Sequence, residues 1–234
     1  MTKDYYLPLF LLGSAAILLL VFVFYPTVDL IVSGLFYQSE KGFFLADNPV
    51  FVMAHGFAYY GSRLIGIILG VMGAVCVIKK QSCFHIDGKG WSFLLLLLLL
   101  GPVLIANIGF KDHWGRARPR EVTVFGGTAL FSPALVPQLS HHKNGSFVSG
   151  DGAFGFFFPS FGYVVPRPRS RRAFWSGMAI GTWLGLARIA MGAHFLSDVF
   201  FAAVFMIGCS TFLFWIMYGS QALREKWRDW LCST

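Results

Sequence analysis

The chain has 234 residues, of which 56% are hydrophobic and only 13% charged, with a mean hydropathy of +0.64. So little polar surface cannot cover a water-soluble globule of this size, which excludes a soluble domain and makes a membrane the expected solvent. The 19 basic and 11 acidic side chains, a net charge of +8, form no soluble basic face of the kind that binds nucleic acid and fit membrane topology plus anion binding instead.

Crossing a hydrocarbon core takes about 20 apolar residues at roughly 1.5 Å each. The first such run, Tyr6–Tyr25, follows Lys3 as a signal peptide would. Its length and the lack of a small-residue cleavage site before Pro26 make it an anchor. Pro26–Gly56 comes next and is rich in aromatics; DLIVSGLFY and FFLADNPVFVMAHGFAYYG read as helices lying in the headgroup layer. This stretch is a lipid-wetted connector, or more sharply a gate that steers a lipid. The runs Phe57–Ile78 and Trp91–Phe110 lead to an outer loop, Lys111–Gly145, and Ser146–Val165, Ala173–Ile189 and His194–Tyr218 complete the set. Glycines spread through the second, fourth and fifth runs permit close helix approach. The expectation is an all-α polytopic membrane protein, a single integral-membrane domain over residues 1–234, built as a six-transmembrane-helix antiparallel bundle with interfacial helices.

Lys79, Lys80, Lys89, the arginines at 167, 169, 171 and 172, and Arg224, Lys226 and Arg228 then share one side with Lys3. That side is expected to be cytoplasmic, with both termini on it. Cys76 and Cys209 fall inside runs and Cys83 and Cys232 on the reducing side, without metal-ligand spacing. Neither disulfides nor a zinc site is expected.

Three stretches meet on the opposite face in this topology: KDHWGRARP (Lys111–Pro119), SFVSGD (Ser146–Asp151) and ARIAMGAHFLSD (Ala187–Asp198). Charge at the ends of apolar segments is costly and usually functional. His194 and Asp198 are four residues apart, so on a helix the carboxylate can take the proton of one imidazole nitrogen while the other faces a substrate. That makes His194 a candidate nucleophile. Lys111, Arg118 and Arg188 would hold a group with several negative oxygens, for which phosphate is the obvious choice. A helix entrance at Ser146–Gly152 adds backbone donors that Gly150 and Gly152 let approach an oxyanion, and Gly192 ends the fifth run. Taken singly these are a satisfied polar pair, snorkelling cations and a helix cap. Their joint occurrence on one face favours catalysis.

The same stretches resemble the type 2 phosphatidic acid phosphatase superfamily, which also holds the vanadium haloperoxidases. Lys111, six residues, then Arg118 and Pro119 match its first motif; Arg188, five residues, His194, three residues, Asp198 match its third, with Ala187 where serine is frequent. The resemblance covers residues 91–218, roughly, and implies a helical bundle, a reaction needing neither metal nor cofactor, a phosphohistidine at His194, and Ser149 and Gly150 as phosphate binders. The middle motif departs from it. Pro-Ser-Gly-His is replaced by Val148, Ser149, Gly150 and Asp151, so the histidine that would protonate the leaving oxygen is an aspartate. Three nearby cations hold Asp151 ionised, whereas a bound anionic phosphate pushes the other way. His113, His141 and His142 are substitute donors in the outer loop.

Within the superfamily, KDHWGRARP, GGTALFSPAL and FVSGD look like bacterial phosphatases of lipid A. This implies a phosphorylated membrane lipid as substrate, on the periplasmic side of the inner membrane. Undecaprenyl diphosphate and phosphatidylglycerol phosphate compete as substrates because the phosphate pocket is shared. A lipid transporter or scramblase would spread its charge through membrane depth, and a vanadate peroxidase would have a soluble body.

Overall fold

A computed structural model describes residues 16–111, 113–138 and 145–231. Lys3, the start of the first predicted run, His141, His142 and Cys232 lie outside the described residues. The chain is mostly helical, as expected. In order come α1 (Ala16–Phe24), α2 (Val28–Gly34), a two-residue hairpin of β1 (Tyr37–Gln38) and β2 (Gly42–Phe43), α3 (Pro49–Ile78) and α4 (Gly88–Lys111). They are followed by α5 (Gly150–Gly155), α6 (Phe161–Val164), α7 (Arg169–Ala190) and α8 (Leu196–Leu231).

Local chemistry explains where the long helices begin. Asn48 Oδ1 accepts the Val50 N–H at 3.0 Å and Pro49 occupies the first turn, where its missing N–H costs nothing, so α3 starts eight residues before the apolar run does. The second predicted interfacial helix is therefore the opening of α3. The hydrophobic window missed it because His55 and Gly56 interrupt the apolar signal. Asp87 caps α4 by accepting the Gly90 N–H at 2.8 Å. The outer part of α4, Leu99–Lys111, is wound as a π-helix that contains Pro102.

Among the described residues, three helices are long and apolar enough to cross a membrane: α3, α4 and α8. A fourth crossing results if α1 and α2, bent by 90° to one another, count as one. The predicted run Ser146–Val165 is broken into α5, a single 3-10 turn (Phe158–Ser160) and α6, and α7 carries basic residues in its first turns. Length and hydropathy thus support at least three spans among the described residues, and do not by themselves give the expected six. Large side chains on α3 face outward, among them Met53, Tyr60, Ile67 and Ile78, which suits contact with lipid.

The short α5 packs on α7 so closely that backbones touch: a Cβ on Gly155 would lie 2.7 Å from the Gly181 Cα. Only glycine allows this approach. At the other end of α7, α8 breaks at Gly219 (φ 86°) and its last turns fold across the α6–α7 turn. Lys226 Nζ donates to the Val165 carbonyl at 2.9 Å, and Trp230 stacks on Phe174 with ring centroids 4.2 Å apart. Lys89 Nζ lies 4.5 Å from the Tyr218 ring centre on this same end. The motif residues occupy the opposite helix ends, where a small second core of Phe43, Ala117, Val122, Phe125 and Phe195 closes the loops.

Candidate active site

His194 stands in the turn between α7 and α8. α7 ends at Ala190, and Gly192 adopts φ 65°, a left-handed conformation that reverses the chain. The Ala193 N–H donates to the Arg188 carbonyl at 3.0 Å, which ties the histidine turn to the arginine six residues earlier. His194 is 2% exposed. Its Nδ1 lies 2.7 Å from the Ser146 carbonyl oxygen, so Nδ1 carries the proton, donates it there, and leaves the Nε2 lone pair for the cavity. Asp198 Oδ2 is 3.8 Å from Nδ1, too far for a hydrogen bond. The expected carboxylate partner is thus a second neighbour, and a backbone carbonyl of the middle motif fixes the tautomer. Burial pushes the imidazole pKa down to about 4, with Arg188 and Lys111 adding to the fall and Asp198 opposing it. The imidazole is therefore neutral near pH 7, as a nucleophile must be.

Asp198 is occupied elsewhere. Its Oδ2 accepts the Phe195 N–H at 2.8 Å, and its Oδ1 accepts from Arg116 Nη1 at 2.5 Å. Arg116 is fully buried and spends its whole guanidinium on the site: Nε donates to the Ser132 carbonyl at 3.0 Å, Nη1 also to Ser197 Oγ at 2.9 Å, and Nη2 to Asp29 Oδ2 at 2.8 Å. Asp29 of α2 returns to the same place, accepting the Ser197 N–H at 2.8 Å and the Ser197 hydroxyl at 2.5 Å. Two carboxylates and one guanidinium thereby lock the start of α8 beneath His194. The aromatic connector is more than lipid-wetted, because Asp29 and Phe43 both reach this turn from it. Sequence reasoning passed over Arg116 and Asp29. Arg116 was visible as a charge inside the first motif, and Asp29 as a carboxylate opening an apolar stretch.

A cavity of about 840 Å³ adjoins His194. Lys111, Arg118 and Arg188 all line it, so the structure brings the predicted nucleophile and its three predicted cations to one space. Burial, and then Arg120 beside it, draw the Arg118 guanidinium below its ordinary pKa. Arg63 and Arg120 also line the cavity and were not foreseen; Arg63 stood out as a charge within a predicted span. From His55 to Gly66 the cavity follows α3 for about 16 Å at 1.5 Å per residue. Leu98, Leu99, Pro102 and Val103 of α4 also line it, and Leu99 and Val103 are exposed. The space is cationic at the motif end, and its α4 wall is apolar.

The middle motif divides. Gly150 and Asp151 line the cavity. Ser149 is fully buried, and its hydroxyl oxygen caps α5 by accepting the Gly152 N–H at 3.1 Å. It is not among the cavity-lining residues. Asp151 Oδ2 lies 3.1 Å from Arg188 Nε, but that N–H is not aligned on any acceptor, so the contact is an ion pair without a hydrogen bond. The same oxygen lies 2.6 Å from Nδ1 of His55, a residue of α3 absent from all three motifs. His113 is exposed and outside the cavity lining. Among the described residues, no cluster of three His, Cys, Asp or Glu side chains is placed to hold a metal ion.

The chain is 33% identical to the lipid A 4'-phosphatase of Francisella tularensis subsp. novicida (strain U112) over 204 residues, covering 84% of this chain and 89% of that protein. It is 29% identical to the lipid A 4'-phosphatase of Rhizobium leguminosarum over 203 residues, 78% of this chain and 84% of that one. In fold it is similar to the crystal structure of a transmembrane PAP2 type phosphatidylglycerolphosphate phosphatase from Bacillus subtilis, with a TM-score of 0.53 at 22% identity, over 94% of this chain and 96% of that one. The PAP2 superfamily model matches residues 90–222, the stretch that holds all three motifs, and the chain belongs to that superfamily.

Proposed function

We propose that this protein is a membrane lipid phosphatase that hydrolyses a phosphate monoester on a lipid headgroup, lipid A first, through a phosphohistidine at His194. The observation that carries the reading is the neutral His194, its Nδ1 held by a carbonyl, in a cavity with three cations at one end and an apolar flank. The Nε2 lone pair attacks phosphorus, and Lys111, Arg118 and Arg188 balance the charge that spreads over the phosphoryl oxygens. Gly150 gives the phosphate a wall without a side chain. Arg63 and Arg120 receive further anionic groups of the headgroup. The acyl chains stay in the bilayer beside Leu99 and Val103.

In the same reading six crossings place both termini in the cytoplasm and the site at the periplasmic face of a bacterial inner membrane. α5 to α6 then form a broken fourth crossing, and the basic end near Lys89 and Lys226 faces the cytoplasm. Lipid A is favoured as substrate by the two relatives, both lipid A 4'-phosphatases.

Purified protein offered lipid A, undecaprenyl diphosphate and phosphatidylglycerol phosphate in turn should release inorganic phosphate fastest from lipid A, and His194→Ala should abolish release. Faster release from another lipid would move the substrate assignment. No release from any would point to a transporter or scramblase.

A further inference from the structure

Expelling a sugar or alkyl alkoxide from phosphorus requires a proton, because such an oxygen is a poor leaving group as an anion. Several groups around the cavity are already committed. His194 is the nucleophile. The arginines do not release protons, and Asp151 Oδ2 is ion-paired with Arg188 at 3.1 Å and accepts a hydrogen bond from His55 at 2.6 Å. An oxygen engaged in both those contacts is a carboxylate and has no proton to give. His55 differs. It projects from α3 into the cavity wall with its side chain 40% exposed, and its Nδ1 is held by Asp151, which leaves Nε2 for the cavity.

We propose that His55 is the catalytic proton donor to the leaving oxygen, and that Asp151 is the residue that positions it. The inference rests on the phosphatase reading above and deepens it. In the first half-reaction the His194 Nε2–phosphorus bond forms as the phosphorus–ester oxygen bond breaks. The ester oxygen takes the Nε2 proton of His55 and departs as the alcohol, leaving His55 neutral. In the second, water gives a proton to His55 Nε2 as its oxygen bonds to phosphorus and the bond to His194 breaks. Inorganic phosphate leaves, and both imidazoles return to their starting states. Throughout, the His55 Nδ1–H donates to Asp151, which keeps the ring oriented with Nε2 toward the cavity. A middle motif that ends in aspartate is thus completed by a histidine from a different helix, 96 residues away in sequence.

The test compares leaving groups. His55→Gln and Asp151→Asn are assayed on the faster of lipid A and phosphatidylglycerol phosphate, and on p-nitrophenyl phosphate, whose leaving oxygen departs without a proton. His55→Gln should lower kcat on the lipid by about 100-fold to 10,000-fold, whereas the first-turnover burst of p-nitrophenolate, which reports phosphorylation of His194 before water attacks, should stay within a few-fold of wild type and also reports an intact fold. Asp151→Asn should show the same split with a smaller loss. The double variant should be no worse on the lipid than His55→Gln alone. Equal losses in lipid turnover and in the aryl burst, or none in either, overturn the assignment. So does a larger leaving-group-dependent loss in Asp151→Asn, which would hand the proton to the carboxyl. A wild-type protein idle on both substrates refutes the phosphatase reading itself.

Discussion

Asp29→Asn changes a residue outside the cavity lining, and the structure makes it costly. Asp29 accepts three hydrogen bonds at full burial: the Ser197 N–H on Oδ1, and both the Ser197 hydroxyl and Arg116 Nη2 on Oδ2. An asparagine can keep its oxygen on the backbone N–H. Its amide then faces two donors, so two contacts are lost and Arg116 keeps Asp198 as its one buried counter-charge. Hydrogen bonds to charged groups contribute about 1.5–3 kcal/mol each, and breaking a buried ion pair from one side costs about 3–5 kcal/mol. The two routes agree on roughly 3–5 kcal/mol. Ser197 lies three residues beyond His194 and shares its turn with Asp198, so the strain reaches the nucleophile. A displacement of about 1 Å at a reacting group can cost about 100-fold in rate. The expected result is a clearly lower unfolding temperature in detergent, and a fall in kcat of about tenfold to 100-fold with little change in KM, because Lys111, Arg118 and Arg188 line the cavity and Asp29 does not. An Asp29→Asn protein with wild-type unfolding temperature and kcat would refute the claim that this buried network positions His194.

Two further expectations come from the same turn. The folded pKa of His194, about 4 against an ordinary 6.5, means that the unfolded chain binds the proton more readily between those values, so stability is lost as pH falls through that window. A fall of this size corresponds to roughly 3 kcal/mol when complete. Unfolding temperatures measured from pH 7 to pH 4 should fall more steeply for wild type than for His194→Gln, and parallel curves would contradict a buried neutral imidazole. Gly192→Ala would add a Cβ 2.4 Å from the Phe43 ring at a residue with φ 65°, so both strain and clash oppose it. We expect a loss of about 1–3 kcal/mol and reduced activity on every substrate. An unchanged unfolding temperature would mean that the hairpin does not press on the turn.

The membrane class was legible from composition alone, because a chain so poor in charge has only one solvent in which it can bury its surface. The two outer motifs were equally legible. Their spacing puts Lys111 near Arg118 and Arg188 near His194 through local geometry, and the cavity gathers all four. Boundaries were less readable. α3 begins at Pro49 because an asparagine cap and a proline set it, not because hydropathy does.

What the sequence by itself determined was the set of charged residues that the fold gathers at one cavity, since charges at the ends of apolar runs are too costly to persist without a task. Only the tertiary structure decided who holds whom. Ser146 rather than Asp198 fixes the His194 tautomer, Arg116 binds Asp198 to Asp29 across 169 positions of chain (82 from Asp198 and 87 from Asp29), and His55 meets Asp151. Each of these pairings crosses from one helix or loop to another. Periodicity reports the face a residue takes on its own helix, whereas a partner on a different helix is selected by the packing of the whole bundle.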